Sequence, residues 1–243
     1  LDFANNTQSL RWNHIFSPRL FANFTVFNSH YDFGTLLQYS ATDMDFSSNL
    51  RDRAAKADFS LFLNTRNTLS FGLQADWYAI SPAEFVPLSE GIISAYTYPP
   101  THAVSPAAYL MNEQKVTDGI SLKYGLRFSM FSTLGAATQR YYAPDHTLDH
   151  TKDFAKGQEI QSYHGIEPRI AASFRLGPDM SFKASYGRNC QYIQQAVYSI
   201  SGSPFDIWFT ASPNIKPQIS DQYSVGLFRN FLGDALETSL ELF

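Results

Sequence analysis

In "NTLSFGLQADW", residues 67–77, Leu69, Phe71, Leu73, Ala75 and Trp77 alternate with Thr68, Ser70, Gly72, Gln74 and Asp76. A period of two is that of an extended strand with one apolar and one polar face. The same alternation recurs along the chain and predicts about ten strands. The first runs near Ser9–Phe16 with Leu10, Trp12 and Phe16 in phase, and Ser17-Pro18 turns it into a second with Leu20, Ala22, Phe24 and Val26 in phase. Ala55, Ala57, Phe59, Leu61 and Leu63 alternate with Lys56, Asp58 and Ser60, and "NTRN" turns that strand into residues 67–77.

Three more hairpins follow. "AAYLMNEQ" and "ISLKYGLRFSMF" flank "KVTDG", where Asp118-Gly119 is expected to supply the positive φ of a tight turn. "IEPRIAASFRL" and "SFKASYGRN" flank "GPDM", and "QISDQYSVGLF" and "LETSLELF" flank "RNFLGD". Between hairpins lie polar stretches around residues 39–49, 81–106, 133–161 and 190–217, read as unstructured loops; Pro99-Pro100 makes the second of them unfit for a central strand. Short turns on one rim and long connections on the other form the organising rhythm.

Two architectures fit this alternation. A soluble sandwich turns its apolar rows inward, and its outer faces are usually heavily charged. A membrane barrel turns them out to lipid and keeps a polar interior, with short periplasmic turns and long extracellular loops. Here the polar faces are mild mixtures of Ser, Gly, Gln and Thr with few charges. Long structureless connections are also uncommon in compact soluble domains. The aromatic content, 16% with 21 Phe and 14 Tyr, suits strands and interfacial girdles. Both points favour an all-β, antiparallel transmembrane β-barrel.

Composition narrows the alternatives. No run approaches the roughly 18 apolar residues of a spanning helix. A net charge of −4 without basic clusters argues against nucleic acid as a partner, and the single Cys190 excludes an internal disulfide. A spanning sheet must close, because each unpaired backbone group at a lipid-exposed edge costs several kcal/mol. Ten strands are an even number and can close alone. The opening "LDFANNTQSL" carries no leader, however, and Phe243 falls in phase with Glu237, Ser239 and Glu241. Residues 1–243 are therefore expected to be part of a larger barrel, whose isolated edges would promote aggregation.

The phrases "SLRWNHIFSPRLFANFTVF", "KADFSLFLNTRNTLSFGL", "YGLRFSMF", "IEPRIAASFRL", "FKASYGRNCQYI" and "NIKPQISDQYSVGLFRNFL" resemble, in order and over nearly the whole chain, the barrel of bacterial TonB-dependent outer-membrane receptors. The likeness is greatest to the type with a carboxypeptidase-like regulatory domain. The resemblance implies a barrel of about 22 strands in the Gram-negative outer membrane, in contact with its lipid. It also implies an N-terminal plug, here absent with the signal peptide and remaining strands, and energy relayed by the TonB complex. The implied function is import of a bulky scarce nutrient, a metal chelate, cofactor or glycan, with no enzyme activity and no cofactor. A ten-stranded outer-membrane hydrolase, a passive porin and a soluble β-binding domain remain alternatives.

Candidate chemistry is sparse. No nucleophile, base and orienting acid form a recognisable set, and His14, His30 and His164 fall in predicted strands without a nearby motif. Asp145, His146, Asp149 and His150 in "DHTLDH" lie in a loop without a helix to align the imidazoles, so a solvated loop is expected rather than a metal site. Lys123, Arg127, Glu167, Arg169 and Lys183 share the polar phase and are expected to face a plug across the lumen. Tyr192, Tyr198, Phe205 and Trp208 form an aromatic loop stretch able to stack on a ligand or to pack on neighbouring loops.

Overall fold

The computed structural model describes residues 2–37, 43–88, 94–196, 207–233 and 235–243. Its strands are β1 (Asp2–Ser17), β2 (Leu20–Leu37), β3 (Met44–Asn64), β4 (Asn67–Pro87), β5 (Tyr96–Thr97), β6 (Thr101–Lys115), β7 (Ile120–Leu134) and β8 (Ala137–Tyr142). They continue as β9 (Leu148–Phe154), β10 (Glu159–Arg175), β11 (Met180–Gln191), β12 (Ile193–Ala196), β13 (Ile207–Thr210), β14 (Gln218–Phe231) and β15 (Leu236–Leu242). Among the described residues no helix is long and apolar enough to cross a membrane.

One antiparallel sheet runs in the order β1-β2-β3-β4-β6-β7-β10-β11-β14-β15, with β5 added to β4. The hairpins β8–β9 and β12–β13 stand apart from it. The ten long strands match the ten expected hairpin arms, but the connections differ from expectation. β2 runs to Leu37 and β3 starts at Met44, so the described part of the first polar stretch, residues 43–49, is largely strand. β4 extends to Pro87 and β6 begins at Thr101, narrowing the second connection. The third and fourth contain β8–β9 and β12–β13. Hairpin formation satisfies backbone groups that a bare loop leaves to water, and Thr, Tyr, Val and Ile favour it there.

Cross-strand register keeps the apolar phase on one face throughout. Trp12 stands opposite Phe24 and Phe24 opposite Ala57. Phe59 stands opposite Phe71, and Phe71 opposite Leu110. Leu110 then meets Leu126, Ile166 meets Phe128, Phe174 meets Phe182, Phe182 meets Leu227 and Leu227 meets Leu240. A slip of one residue at any pair would invert every subsequent side chain. Ring contacts reinforce this register: Trp12 stacks on Phe24 with centroids 5.2 Å apart, and Phe59 on Phe71 at 5.1 Å.

The apolar face is the uncovered one. Leu10 is 71% exposed, Leu73 63%, Ile170 51% and Leu240 68%, whereas Phe46, Ile80 and Phe131 on the opposite face are at most 1% exposed. A water-soluble sandwich would bury the first set, because leaving a row of large apolar side chains in water forfeits about 1.5–3 kcal/mol each. Among the described residues the row of Phe71, Leu122 and Ile170 thus lies under no opposing layer, as expected of a barrel, and the soluble alternative is set aside. Its apolar stretch on β4, Leu69 to Trp77, matches the 9–11 residues with which a tilted strand crosses hydrocarbon.

Local chemistry departs from expectation at two turns and one strand. Gly119 has no positive φ; instead Leu232 (φ 56°) and Gly233 (φ 63°) adopt the left-handed region in the β14–β15 turn. The 116–119 turn closes without it through amide bonds of Val116 and Thr117 to the Ile120 carbonyl, at 2.9 and 3.3 Å. In β6, Pro106 lacks an N–H, and pairing to β7 is interrupted between Val104 and Ala107. The Ser105 hydroxyl donates to the Met130 carbonyl at 3.0 Å and restores a bond at that gap.

Candidate functional site

On the inner face, opposite the apolar rows, a polar band crosses five strands, β4, β6, β7, β10 and β11, with polar members on all but β6. Glu167 in β10 is 5% exposed. Its carboxylate accepts a hydrogen bond from the Ser129 hydroxyl of β7 at 2.6 Å and lies 3.9 Å from Arg127 Nε and 3.7 Å from Arg169 Nη2. Arg169 also donates to Asn189 Oδ1 of β11 at 2.8 Å, and Arg127 Nη2 to Gln74 Oε1 of β4 at 3.4 Å. Gln74 Nε2 in turn donates to both carboxylate oxygens of Asp76 at 3.0 Å. In the intervening β6, Ala107 stands opposite both Gln74 and Ser129, and its short side chain leaves the span clear.

Charge neutrality explains why this band tolerates burial. The guanidinium groups of Arg127 and Arg169 balance the carboxylates of Glu167 and Asp76, and the hydroxyl of Ser129 satisfies a further lone pair of the nearly enclosed Glu167. The five expected lumen residues therefore separate into two groups. Arg127, Glu167 and Arg169 meet. Lys123 sits 3.7 Å from Glu113, and the Lys183 ammonium lies 4.3 Å over the Phe228 ring, both apart from the central cluster. A second inner-face group joins the Tyr109 hydroxyl to Asp58 Oδ1 and Lys56 Nζ to Asp58 Oδ2 at 3.1 Å. Gly72 makes this possible, since a Cβ there would strike the Tyr109 ring at 2.7 Å.

Residues on either side of positions 197–206, namely Tyr192 and Ala211–Ser212, pack on this face. The Tyr192 ring stacks on Phe131 with centroids 5.2 Å apart and planes 3° from parallel, and its hydroxyl is 2.9 Å from that of Ser129. The Ala211 amide donates to the Tyr192 carbonyl at 2.7 Å, the Thr133 hydroxyl to the Ala211 carbonyl at 2.9 Å, and the Tyr163 hydroxyl to the Ser212 carbonyl at 2.8 Å. Tyr192, Phe131, Ala103 and Ala211 form a buried apolar cluster. Gly165 provides clearance, because a Cβ there would fall 2.9 Å from the Tyr192 hydroxyl and closer still to Cys190 Sγ. A cavity of about 300 Å³ is bounded here by Gln74, Asp76, Arg127, Glu167 and Tyr192.

Of the expected aromatic stretch, Tyr192 is buried against the wall and Trp208 is half-buried in β13, opposite Gln195. Tyr198 and Phe205 lie outside the described residues. In the β8–β9 hairpin, His150 Nδ1 lies 2.9 Å from Asp149 Oδ2 and its ring stacks on Tyr141 at 4.5 Å, while His146 occupies the turn with φ 65°. Hydrogen bonds from the Thr147 hydroxyl and amide hold the Asp145 carboxyl below its ordinary range. Among the described residues no group of three or more His, Cys, Asp and Glu side chains is placed to hold a metal ion.

Sequence reasoning singled out three members of the central band and missed Gln74, Asp76, Ser129 and Asn189. Their polar phase was visible, but only cross-strand register brings them to the same height.

The fold has close counterparts among solved structures. The ferric yersiniabactin uptake receptor FyuA from Yersinia pestis is similar over 98% of this chain and 35% of its own, at 13% identity and a TM-score of 0.64. The copper transporter OprC is similar over 94% and 38%, at 14% identity and 0.62. The ferric citrate transporter FecA is similar over 98% and 34%, at 14% identity and 0.60. The chain thus spans about a third of the length of these proteins. No curated protein matches it by sequence. The family model described as TonB dependent receptor-like, beta-barrel matches residues 1–243, so the chain belongs to the TonB-dependent receptor β-barrel family, and its eleven-stranded sheet is a portion of that barrel's wall.

Proposed function

We propose that residues 1–243 form part of an outer-membrane receptor that imports a bulky scarce nutrient, such as a metal chelate, cofactor or glycan, in Gram-negative cells using energy relayed by TonB. The observation that carries this reading is the pairing of an uncovered apolar face with a charged, hydrogen-bonded inner band within one sheet. Lipid outside and a hydrated, protein-filled lumen inside are the surroundings that suit both faces. The similar solved proteins, described as iron and copper uptake proteins, support transport as the class of activity; at 13–14% identity they do not select a substrate.

In this reading Arg127, Glu167 and Arg169 present charge to an N-terminal plug, with Lys123 and Lys183 contributing nearer the tight-turn rim. Tyr192 anchors the inward-folded segment, and the stretch carrying Tyr198, Phe205 and Trp208 contacts nutrient at the long-connection rim. The receptor is a transporter with no covalent step, so these groups serve binding and positioning. Planar-bilayer recording of the full-length receptor tests the proposal. A closed wall that conducts only when its plug is deleted supports it, and steady open conductance with the plug present refutes it in favour of a passive porin.

A further inference from the structure

The outward face of β2–β3 carries a cationic patch at the upper limit of its apolar belt. On β3 the outward row reads Leu63, Leu61, Phe59, Ala57, Ala55 and then Arg53 and Arg51. Both arginines are exposed, and Arg53 stands opposite Trp77, the aromatic that ends the apolar row of β4. Asn28 Oδ1 accepts from Arg53 Nε at 3.3 Å and holds the guanidinium, whose terminal nitrogens have no hydrogen-bond partner among the described residues. Among the described residues neither arginine has a carboxylate within ion-pair distance. The nearby Asp32 is engaged by His30 at 2.9 Å, and His30 stands opposite Arg51.

Other outward arginines differ. Arg188 is held by both oxygens of Asp221 at 2.8 Å, and Arg229 lies 4.7 Å over the Phe231 ring. Directly below the Arg51–Arg53 pair, the same face opens into an apolar groove of about 610 Å³, floored by Ala55, Ala57, Ala75 and Ala108 between the larger Phe24 and Phe128. An acceptor for two adjacent guanidinium groups is an anion with several oxygens, for which phosphate is the best geometric match. A groove at hydrocarbon depth is open only to what dissolves in the bilayer, so a soluble protein or free phosphate does not satisfy both parts.

We propose that Arg51 and Arg53, with the groove beneath them, bind a phosphorylated multi-acyl lipid of the outer leaflet, its phosphate on the guanidinium pair and an acyl chain along the alanine floor. The site rests on the membrane orientation of the proposed function. Each arginine near a membrane surface contributes about 1 kcal/mol toward an anionic headgroup, so losing both lowers affinity roughly 30-fold.

The test uses full-length receptor recovered from outer membranes, delipidated in detergent and titrated with bis-phosphorylated lipid A or its dephosphorylated form, with native mass spectrometry as the readout. Wild type retains the phosphorylated form preferentially. The double variant Arg51→Gln, Arg53→Gln loses roughly 30-fold in retention. Ala57→Phe, which fills the groove and keeps both charges, also weakens it. Equal retention by wild type and the double variant, or equal binding of the dephosphorylated lipid, overturns the site. Heat-modifiable migration and outer-membrane fractionation of the same samples separate the two claims: a receptor absent from that fraction overturns the membrane reading and the site together, whereas correct fractionation with equal retention overturns the site alone.

Discussion

Leu73→Arg separates a lipid-facing row from a water-facing one. Leu73 is 63% exposed on β4, four residues from Leu69 and four from Trp77, the two ends of that strand's apolar row. At about 3.4 Å per residue, four residues cover roughly 14 Å along the strand, or about 10 Å of depth at a 45° tilt. Leu73 therefore lies close to the middle of the hydrocarbon, where an arginine costs about 2–4 kcal/mol. At an exposed position in water the same change stays within about 0.5 kcal/mol. The neighbouring Gln74 points to the inner face, so Gln74→Arg serves as the internal control for charge itself.

Urea-dependent folding of the full-length receptor into lipid vesicles provides the measurement. Leu73→Arg should lower folding free energy by about 2–4 kcal/mol, Leu69→Arg near the end of the row by at most about 1. Gln74→Arg loses only its inner-face hydrogen bonds and should cost less than Leu73→Arg. If Leu73→Arg and wild type agree to within about 0.5 kcal/mol, the outward face does not meet lipid and the orientation is wrong.

Arg169→Ala removes one of two cations facing Glu167 and a bond to Asn189; in the full-length receptor it should accelerate plug release in urea, as followed by cysteine labelling of the plug, and unchanged release would remove its seating role. Gly165→Val should expel Tyr192 from its stack on Phe131, raising amide exchange at Ala211 by about tenfold or more while leaving the strands around Leu73 protected. Leu232→Gly should stabilise the receptor by about 0.5–1 kcal/mol in the same folding assay, since a leucine at φ 56° carries strain that glycine does not. Tyr109→Phe, which leaves Asp58 without its phenol partner, should cost about 1 kcal/mol.

Alternation along the chain by itself determined the ten hairpin arms of the main sheet, their two faces and the positions of the tight turns, because a period of two is a local property of extended backbone. The rows from Leu10 to Leu242 were legible for that reason, and so was the phase shared by Arg127, Glu167 and Arg169. Local pattern did not reveal that the 133–161 and 190–217 stretches contain hairpins, or that Gly119 turns without a positive φ, since those outcomes depend on which backbone partners are within reach. Tertiary structure alone decided which polar groups meet, and it leaves uncovered the apolar face that the sequence pattern assigns to lipid. Ser129 and Glu167 are 38 residues apart in sequence yet bonded at 2.6 Å, a contact set by the register of β7 against β10. Pairing distant strands fixes height as well as side, and height is the coordinate that a one-dimensional period does not carry.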